Sequence, residues 1–337
     1  MKIGILGSGT WGIALARMLA RNGHEVTVWS AIPSEIELLS SGLCHPNLPG
    51  IILPSNICYT CDISQGCTDK DIVMFAVPSV YVRSTAEKAR PYIPDGQIIV
   101  DVAKGIEPVT LMTMSRVILD ELNKDGAHGN IRAVALSGPT HAEEVAAEMP
   151  SSIVSACDDE KAAVYVQEVF MNTCMRVYTN TDVLGVELCG ALKNIVALAS
   201  GISSGLGYGD NTRAALITRG MAEITRLGLS MGCAAQTFSG LAGFGDMIVT
   251  AMSEHSRNNR AGRMIGRGLK ADKAVESIGM VVEGINALPA ALELSHKYGV
   301  EMPIVESVNA IVNCGAEPSE QVYVLMTRDK KSETISK

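Results

Sequence analysis

A chain of 337 residues exceeds the size at which a single hydrophobic core stops growing, so two domains are expected, and 47% hydrophobic against 19% charged residues excludes a disordered chain. The net charge of −8 argues against nucleic acid or an anionic membrane as principal partner, while allowing a locally basic pocket. The first strand begins at Lys2, with no room ahead of it for a secretory leader, and no apolar stretch approaches the roughly 20 residues that cross a bilayer, so a cytoplasmic protein without a membrane span is expected.

Residues 2–6 alternate in a mostly apolar pattern and read as a buried strand. Gly7-Ser8-Gly9-Thr10-Trp11-Gly12 follows directly and opens a helix over residues 13–22, and a second strand over 25–30 completes a β-α-β unit. That context makes the G-x-G-x-x-G spacing a dinucleotide-binding turn. Gly7 makes the tight turn, Gly9 lets backbone approach a pyrophosphate, Gly12 lets the helix pack on the strand, and the phosphates sit at the helix N-terminus. The usual companion of this motif is an acid or an arginine just after the second strand, which selects NAD or NADP. Here that place reads Ser30-Ala31-Ile32, which leaves the choice of NAD or NADP open.

Residues 33–41 read as a short helix and 45–56 as a loop returning to a strand that holds Cys58. Residues 71–77 form a nearly continuous apolar run, as in a parallel strand covered on both faces, and Pro78 stops it. A helix over 80–90, a strand over 97–102, a helix over 108–124 and a strand over 132–136 continue the alternation. Ser137-Gly138-Pro139-Thr140-His141-Ala142 then turns into a helix ending near Met149, and strands over 152–156 and 175–178 bracket a helix over 159–171. The fold class is therefore α/β, with an N-terminal Rossmann-like doubly wound sheet over residues 1–180. Ligands of such sheets lie at the carboxyl ends of the strands, which makes the glycine turn, Val77-Pro78, Ala103-Lys104 and Ser137 to Thr140 neighbours of one crevice. From Thr181 strand signals vanish, and helices over 182–200, 211–227, 239–251, 257–267, 285–298 and 303–313 define an all-α C-terminal domain over 181–337. Residues after Thr327 are polar and expected to fray.

Nine cysteines, an odd number in apolar surroundings, read as small buried hydrophobes in a reducing compartment. Cys44, His45, Cys58, Cys61 and Cys67 fall in one stretch, but Cys58 and Cys61 form a C-x-x-C with no second pair, and no metal site is assigned.

Lys193 is the most unusual polar residue. Nearly every other position over 186–197 is apolar or small, so its helix is expected to be buried all round. Such a lysine either snorkels to a wet edge or transfers protons with a pKa lowered by burial. Asp246, a lone acid after three glycines, either caps a helix or pairs with a lysine. Ser256-Arg257-Asn258 at a helix start is either a solvated basic face or the parts of a phosphate site.

With these residues in hand, the chain resembles the NAD(P)-dependent glycerol-3-phosphate dehydrogenase family. The resemblance runs through Gly7 to Gly12, Lys104-Gly105-Ile106-Glu107, Ser137-Gly138-Pro139-Thr140, Lys193-Asn194, Asn211-Thr212-Arg213, Gly243-Phe244-Gly245-Asp246, Ser256-Arg257-Asn258 and Val282-Glu283-Gly284. It implies that Lys193, oriented by Asp246, is the catalytic proton donor or acceptor. It implies substrate contacts from Lys104, Gly138, Thr140, Lys193, Asp246, Ser256, Arg257 and Asn258. Cofactor contacts are implied for Ser8, Trp11, Lys104, Ala142, Arg257, Val281 and Glu283, beside those read from the glycine turn, Gly7 to Gly12. It further implies an oxidoreductase acting on dihydroxyacetone phosphate and sn-glycerol 3-phosphate in glycerophospholipid synthesis, and a homodimer.

Two other readings remain: a related two-domain hydroxyacid dehydrogenase, and a non-catalytic dinucleotide sensor. Ser256-Arg257-Asn258 suits a phosphate dianion better than a carboxylate, and a sensor has no need of a buried lysine.

Overall fold

The computed structural model describes residues 1–42, 44–330 and 332–333; the expected fraying of the terminus falls partly on residues 331 and 334–337, outside the described residues. In chain order the first half contains β1 (Lys2–Leu6), α1 (Thr10–Arg21), β2 (Glu25–Trp29), α2 (Pro33–Ser40), β3 (Ile57–Thr60), α3 (Ile63–Cys67), β4 (Ile72–Phe75), α4 (Val82–Ala89), β5 (Ile98–Asp101), α5 (Met114–Leu122), β6 (Arg132–Ser137), α6 (Ala142–Ala146), β7 (Ser151–Ala156), α7 (Glu160–Phe170) and β8 (Met175–Asn180). The eight strands form one sheet in the order β3-β2-β1-β4-β5-β6-β7-β8, parallel throughout except where β6 meets β7. Strand order reverses between β1 and β4, and the glycine turn leaves the sheet at that point.

The reason a central strand is apolar at every position is visible in β4. Ile72 and Met74 join the core under α1 and α7, while Val73 and Phe75 join the core under α3, α4 and α5. Alternate side chains leave opposite faces of a strand, and helices cover both faces, so no position can be polar without a partner.

After Asn180 the chain is helical: α8 (Val183–Gly205), α9 (Asp210–Ser230), α10 (Ala235–Ser239), a π-helical turn (Leu241–Gly245), α11 (Asp246–Met252), α12 (Arg257–Gly266), α13 (Ala271–Ile278), α14 (Glu283–Asn286), α15 (Leu288–Tyr298), α16 (Pro303–Cys314) and α17 (Pro318–Met326). Asp182 starts α8 by accepting the Gly185 N–H at 3.0 Å, and it also takes the Ala234 N–H and the Thr237 hydroxyl, at 2.9 and 2.6 Å. α8 is the axis of this half. Its backbone touches that of α12, since a Cβ at Gly262 would lie 2.2 Å from the Leu198 carbonyl oxygen and one at Gly201 2.1 Å from that of Asn259.

The structure corrects the sequence reading in three places. α8 is long and apolar enough to cross a membrane by composition, contrary to expectation, but 94% of its apolar window is buried inside the protein. The helix expected over 108–124 begins only at Met114; Pro108 and a left-handed Leu111 (φ 59°) make a turn, closed by a bridge between Ile106 and Thr113. The helix expected over 239–251 is broken by the π-turn. Short helices α3, α10 and α13 span about two turns or fewer, too little to establish a period in the sequence, and α17 also went unread.

Glu187 on α8 ties the two halves together. Its carboxylate accepts the Ser115 N–H at 2.8 Å and the Ser115 and Thr113 hydroxyls at 2.6 and 2.7 Å, so it caps the start of α5. Asp101, at the end of β5, faces it. Burial and then the Glu187 charge push the Asp101 carboxyl well above its usual range. Asp101 Oδ1 accepts the Ala103 N–H at 3.0 Å, and Oδ2 makes no hydrogen bond among the described residues. Glu187→Ala is expected to cost roughly 3 kcal/mol or more, because it strands three buried donors. Asp101→Asn, which keeps the shape and removes a carboxyl that faces Glu187, is expected to cost under about 1 kcal/mol; chemical denaturation of both variants checks the contrast.

Candidate active site

The glycine turn forms the floor of the crevice. Gly7 holds φ +130°, and a Cβ there would lie 2.6 Å from the Ala76 carbonyl oxygen; one at Gly12 would lie 2.3 Å from that of Gly7. Both positions are closed to any side chain. Gly9 differs: a Cβ there would meet no atom within 4 Å, and as N-cap of α1 it supplies no side-chain cap. The first N–H groups of α1 thus have no side-chain cap and open room beside Gly9, which is the cradle a pyrophosphate needs. Thr10 accepts a hydrogen bond from the Asn47 side chain at 3.1 Å, and Trp11 is half-buried beside it. Ser8 is buried, and its hydroxyl donates to Glu35.

Above the sheet, Asp246 sits between two lysines. Lys193 donates to Asp246 Oδ1 at 2.7 Å, and Lys104, from the loop after β5, donates to Oδ2 at 2.6 Å. Lys193 also donates to the Thr250 hydroxyl at 2.5 Å, and Lys104 to the Gly138 carbonyl at 3.2 Å. Lys193 is 4% exposed and Asp246 1%, so neither has bulk water as an alternative partner. The snorkelling and helix-cap alternatives are both excluded by this geometry: the α11 N-cap is Gly245, and the Asp246 carboxylate is spent on the lysines.

Burial alone would raise the Asp246 carboxyl, but the two ammonium groups hold it below its ordinary value. Burial lowers Lys193, Asp246 opposes that, and Lys104 adds to it, leaving Lys193 at about 8. A lysine at that value exists in both protonation states near neutrality, as a proton-transfer group must. The sign of the resulting pH dependence follows. A carbonyl reduction that draws a proton from Lys193 slows as pH rises through about 8, and the reverse alcohol oxidation accelerates over the same interval. Initial rates in each direction from about two units below that pKa to about two units above it check both limbs.

Arg257 opens α12, with Ser256 as N-cap accepting the Asn259 N–H at 3.2 Å. Among the described residues the half-buried Arg257 guanidinium makes no hydrogen bond or ion pair, although Glu283 and Glu143 lie within its electrostatic reach. Together with the leading N–H groups of α12 it can take an anion with two or more oxygens. Asn258 is locked: its amide donates to Asn194 at 2.9 Å and accepts the Gly284 N–H at 2.8 Å. Glu283 accepts the Ser79 N–H at 3.0 Å and the Ser79 hydroxyl at 2.6 Å, joining α14 to the end of β4.

Thus Lys104, Gly138, Lys193 and Asp246 meet in one cluster. Thr140 adjoins it, its hydroxyl 3.3 Å from the Gly138 carbonyl. Ser256, Arg257 and Asn258 form a second group at the α12 start, and Gly7 to Gly12 a third. Half-buried Ala142 begins α6, and half-buried Val281 leads into Glu283. Thr250, Asn194 and Ser79 were missed as site residues. Thr250 lies four residues after Asp246, one helical turn, and could have been found from that spacing. Among the described residues no group of three or more metal-binding side chains gathers, and all nine cysteines are free, with Cys44 half-buried, Cys58 and Cys61 exposed and Cys67 buried.

Comparison with known proteins gives a consistent result. Residues 2–163 match the NAD-dependent glycerol-3-phosphate dehydrogenase N-terminus and residues 182–323 match the corresponding C-terminus. The chain is 66% identical over 332 residues to glycerol-3-phosphate dehydrogenase [NAD(P)+] 2 of Lactobacillus delbrueckii subsp. bulgaricus, covering 98% of each chain. It is 50% identical to glycerol-3-phosphate dehydrogenase [NAD(P)+] of Agathobacter rectalis, covering 99% of this chain and 98% of the other. The crystal structure of glycerol-3-phosphate dehydrogenase from Coxiella burnetii superposes with a TM-score of 0.92 at 34% identity, covering 97% of this chain and 99% of that one.

Proposed function

This chain belongs to the NAD-dependent glycerol-3-phosphate dehydrogenase family, and on that premise we propose that Lys193 transfers the proton and Arg257 holds the phosphate in its reaction. The reaction is reversible hydride transfer between NAD(P)H and dihydroxyacetone phosphate, giving sn-glycerol 3-phosphate. The observation that carries the residue roles is the buried Lys193 paired with Asp246.

The glycine turn and the uncapped start of α1 fit a dinucleotide, with Trp11, Ala142, Val281 and Glu283 disposed around it. When bound, the nicotinamide supplies or takes up the hydride. The rest is done by this chain. As the C2 carbonyl is reduced, negative charge develops on its oxygen, and the Lys193 ammonium neutralises it by giving up a proton. In the opposite direction the neutral amine takes the proton of the C2 hydroxyl. Asp246 keeps the Lys193 Nζ pointed into the crevice and keeps its pKa from falling further. Lys104, held on the other oxygen of Asp246, adds positive charge near the same place. Arg257, the α12 N–H groups and Ser256 grip the phosphate, and fixing that end of a three-carbon substrate positions C2. Asn258 contributes by holding Asn194 and Gly284 in register, and Gly138 and Thr140 border the substrate from β6.

Purified protein should consume NADH or NADPH with dihydroxyacetone phosphate much faster than with unphosphorylated dihydroxyacetone. Faster turnover of an unphosphorylated keto acid would instead favour a hydroxyacid dehydrogenase, and cofactor binding without turnover a sensor. We further infer a cytoplasmic homodimer serving glycerophospholipid synthesis. The nine free thiols support a reducing compartment, and α17 leaves Tyr323 and Met326 70% and 80% exposed, where a second copy would cover them. A light-scattering mass of one chain would contradict the dimer.

A further inference from the structure

The acid that follows the second strand in many dinucleotide sites is absent at Ser30-Ala31-Ile32, but the fold brings one to the same place from further along the chain. Glu35, in the first turn of α2, turns its carboxylate back over the end of β2. Its Oε2 accepts the Ser30 hydroxyl at 2.6 Å and also the hydroxyl of Ser8 in the glycine turn. Ser30 is 5% and Ser8 3% exposed, so this carboxylate is fastened to the floor of the cofactor crevice rather than waving in solvent. Among the described residues no hydrogen bond is made to Oε1.

We propose that Glu35 is the cofactor-selecting residue of this chain, its carboxylate accepting a hydroxyl of the adenosine ribose and repelling a 2′-phosphate, so that the enzyme prefers NADH to NADPH. The inference rests on the glycine turn being the dinucleotide site. In this fold the adenosine ribose lies at the carboxyl end of β2, where a carboxylate bonds the 2′-hydroxyl and an arginine pairs the 2′-phosphate. Among the described residues no lysine or arginine pairs with Glu35. Ala31 and Ile32 are exposed and uncharged. The other titratable group facing Glu35 is His45, which bonds to the Ser8 backbone; burial lowers its pKa below the usual histidine value, so it is neutral at pH 7. A second phosphate would thus meet the Glu35 carboxylate with no paired cation to offset it. The sequence hides this because the acid is displaced by five residues and reaches back through two serines.

Calorimetric titration of the wild-type protein with NADH and with NADPH tests the proposal without turnover. NADH is expected to bind at least about tenfold more tightly, equivalent to about 1.4 kcal/mol. Glu35→Gln keeps the side-chain shape and can still accept both serine hydroxyls; it is expected to bring the two affinities within about threefold, chiefly by tightening NADPH. Raising ionic strength should narrow the wild-type ratio as well, since the repulsion is electrostatic. Equal affinities in the wild type, or a ratio unchanged by Glu35→Gln, would overturn the proposal while leaving the dinucleotide site intact. Failure of the wild type to bind either dinucleotide would remove the dinucleotide reading and this proposal together. If Glu35→Gln does not fold, the wild-type ratio decides alone.

Discussion

Lys193→Met is expected to fold normally and to lower kcat by about 10²- to 10⁴-fold, the usual worth of a positioned general acid or base. Methionine matches the length of the lysine stem, which runs along a helix with 20 buried residues out of 23. Removing the ammonium does not strand Asp246, since Lys104 remains on its other oxygen at 2.6 Å. The proton transfer exists only as the carbonyl oxygen gains charge, so kcat and kcat/KM should fall together while KM stays near its wild-type value. Phosphate binding at Arg257, on a different helix, is untouched by the change. A folded Lys193→Met protein with wild-type kcat would remove this residue from the reaction.

Asp246→Ala should damage stability as well as rate. It leaves two ammonium groups facing one another in a site where Asp246 was 1% exposed, and breaking a buried ion pair from one side costs about 3–5 kcal/mol. The unfolding midpoint should therefore drop clearly in a thermal melt. Asp246→Asn separates the two effects, because it keeps the volume and removes the charge. With its main electrostatic support gone and Lys104 still close, Lys193 should titrate below its present value of about 8. The oxidation limb then moves to lower pH, and reduction at neutral pH slows for lack of ammonium. An Asp246→Asn protein with an unshifted pH profile would show that the carboxylate does not govern the lysine.

Much of this molecule is legible before its structure, for reasons that differ between its halves. The glycine turn and β4 announce themselves because a strand covered on both faces must be apolar throughout, and because Gly7 and Gly12 have no room for a Cβ. Lys193 stands out because a polar residue inside an all-apolar helix needs a partner. What stays hidden is chosen by tertiary contact. The pairing of Lys193 with Asp246, 53 residues apart, comes from the family resemblance and not from local pattern, and the second partner, Lys104, lies 142 residues from Asp246. The early end of the expected 108–124 helix depends on Glu187, which binds Thr113 and Ser115 from α8 and fixes where α5 begins. The π-turn before Asp246 likewise has no apolar period to reveal it, yet it aims the carboxylate. Glu35 is hidden by a fold that brings an acid to the end of β2 from outside the strand.

The central claim is that Lys193 carries the proton, and the pH dependence of kcat/KM for sn-glycerol 3-phosphate oxidation tests it most directly when wild type and Lys193→Met are compared. The wild-type rate should rise through a limb centred on about 8, and the residual activity of Lys193→Met should lack that limb. A limb of the same position and height in the variant would contradict the assignment.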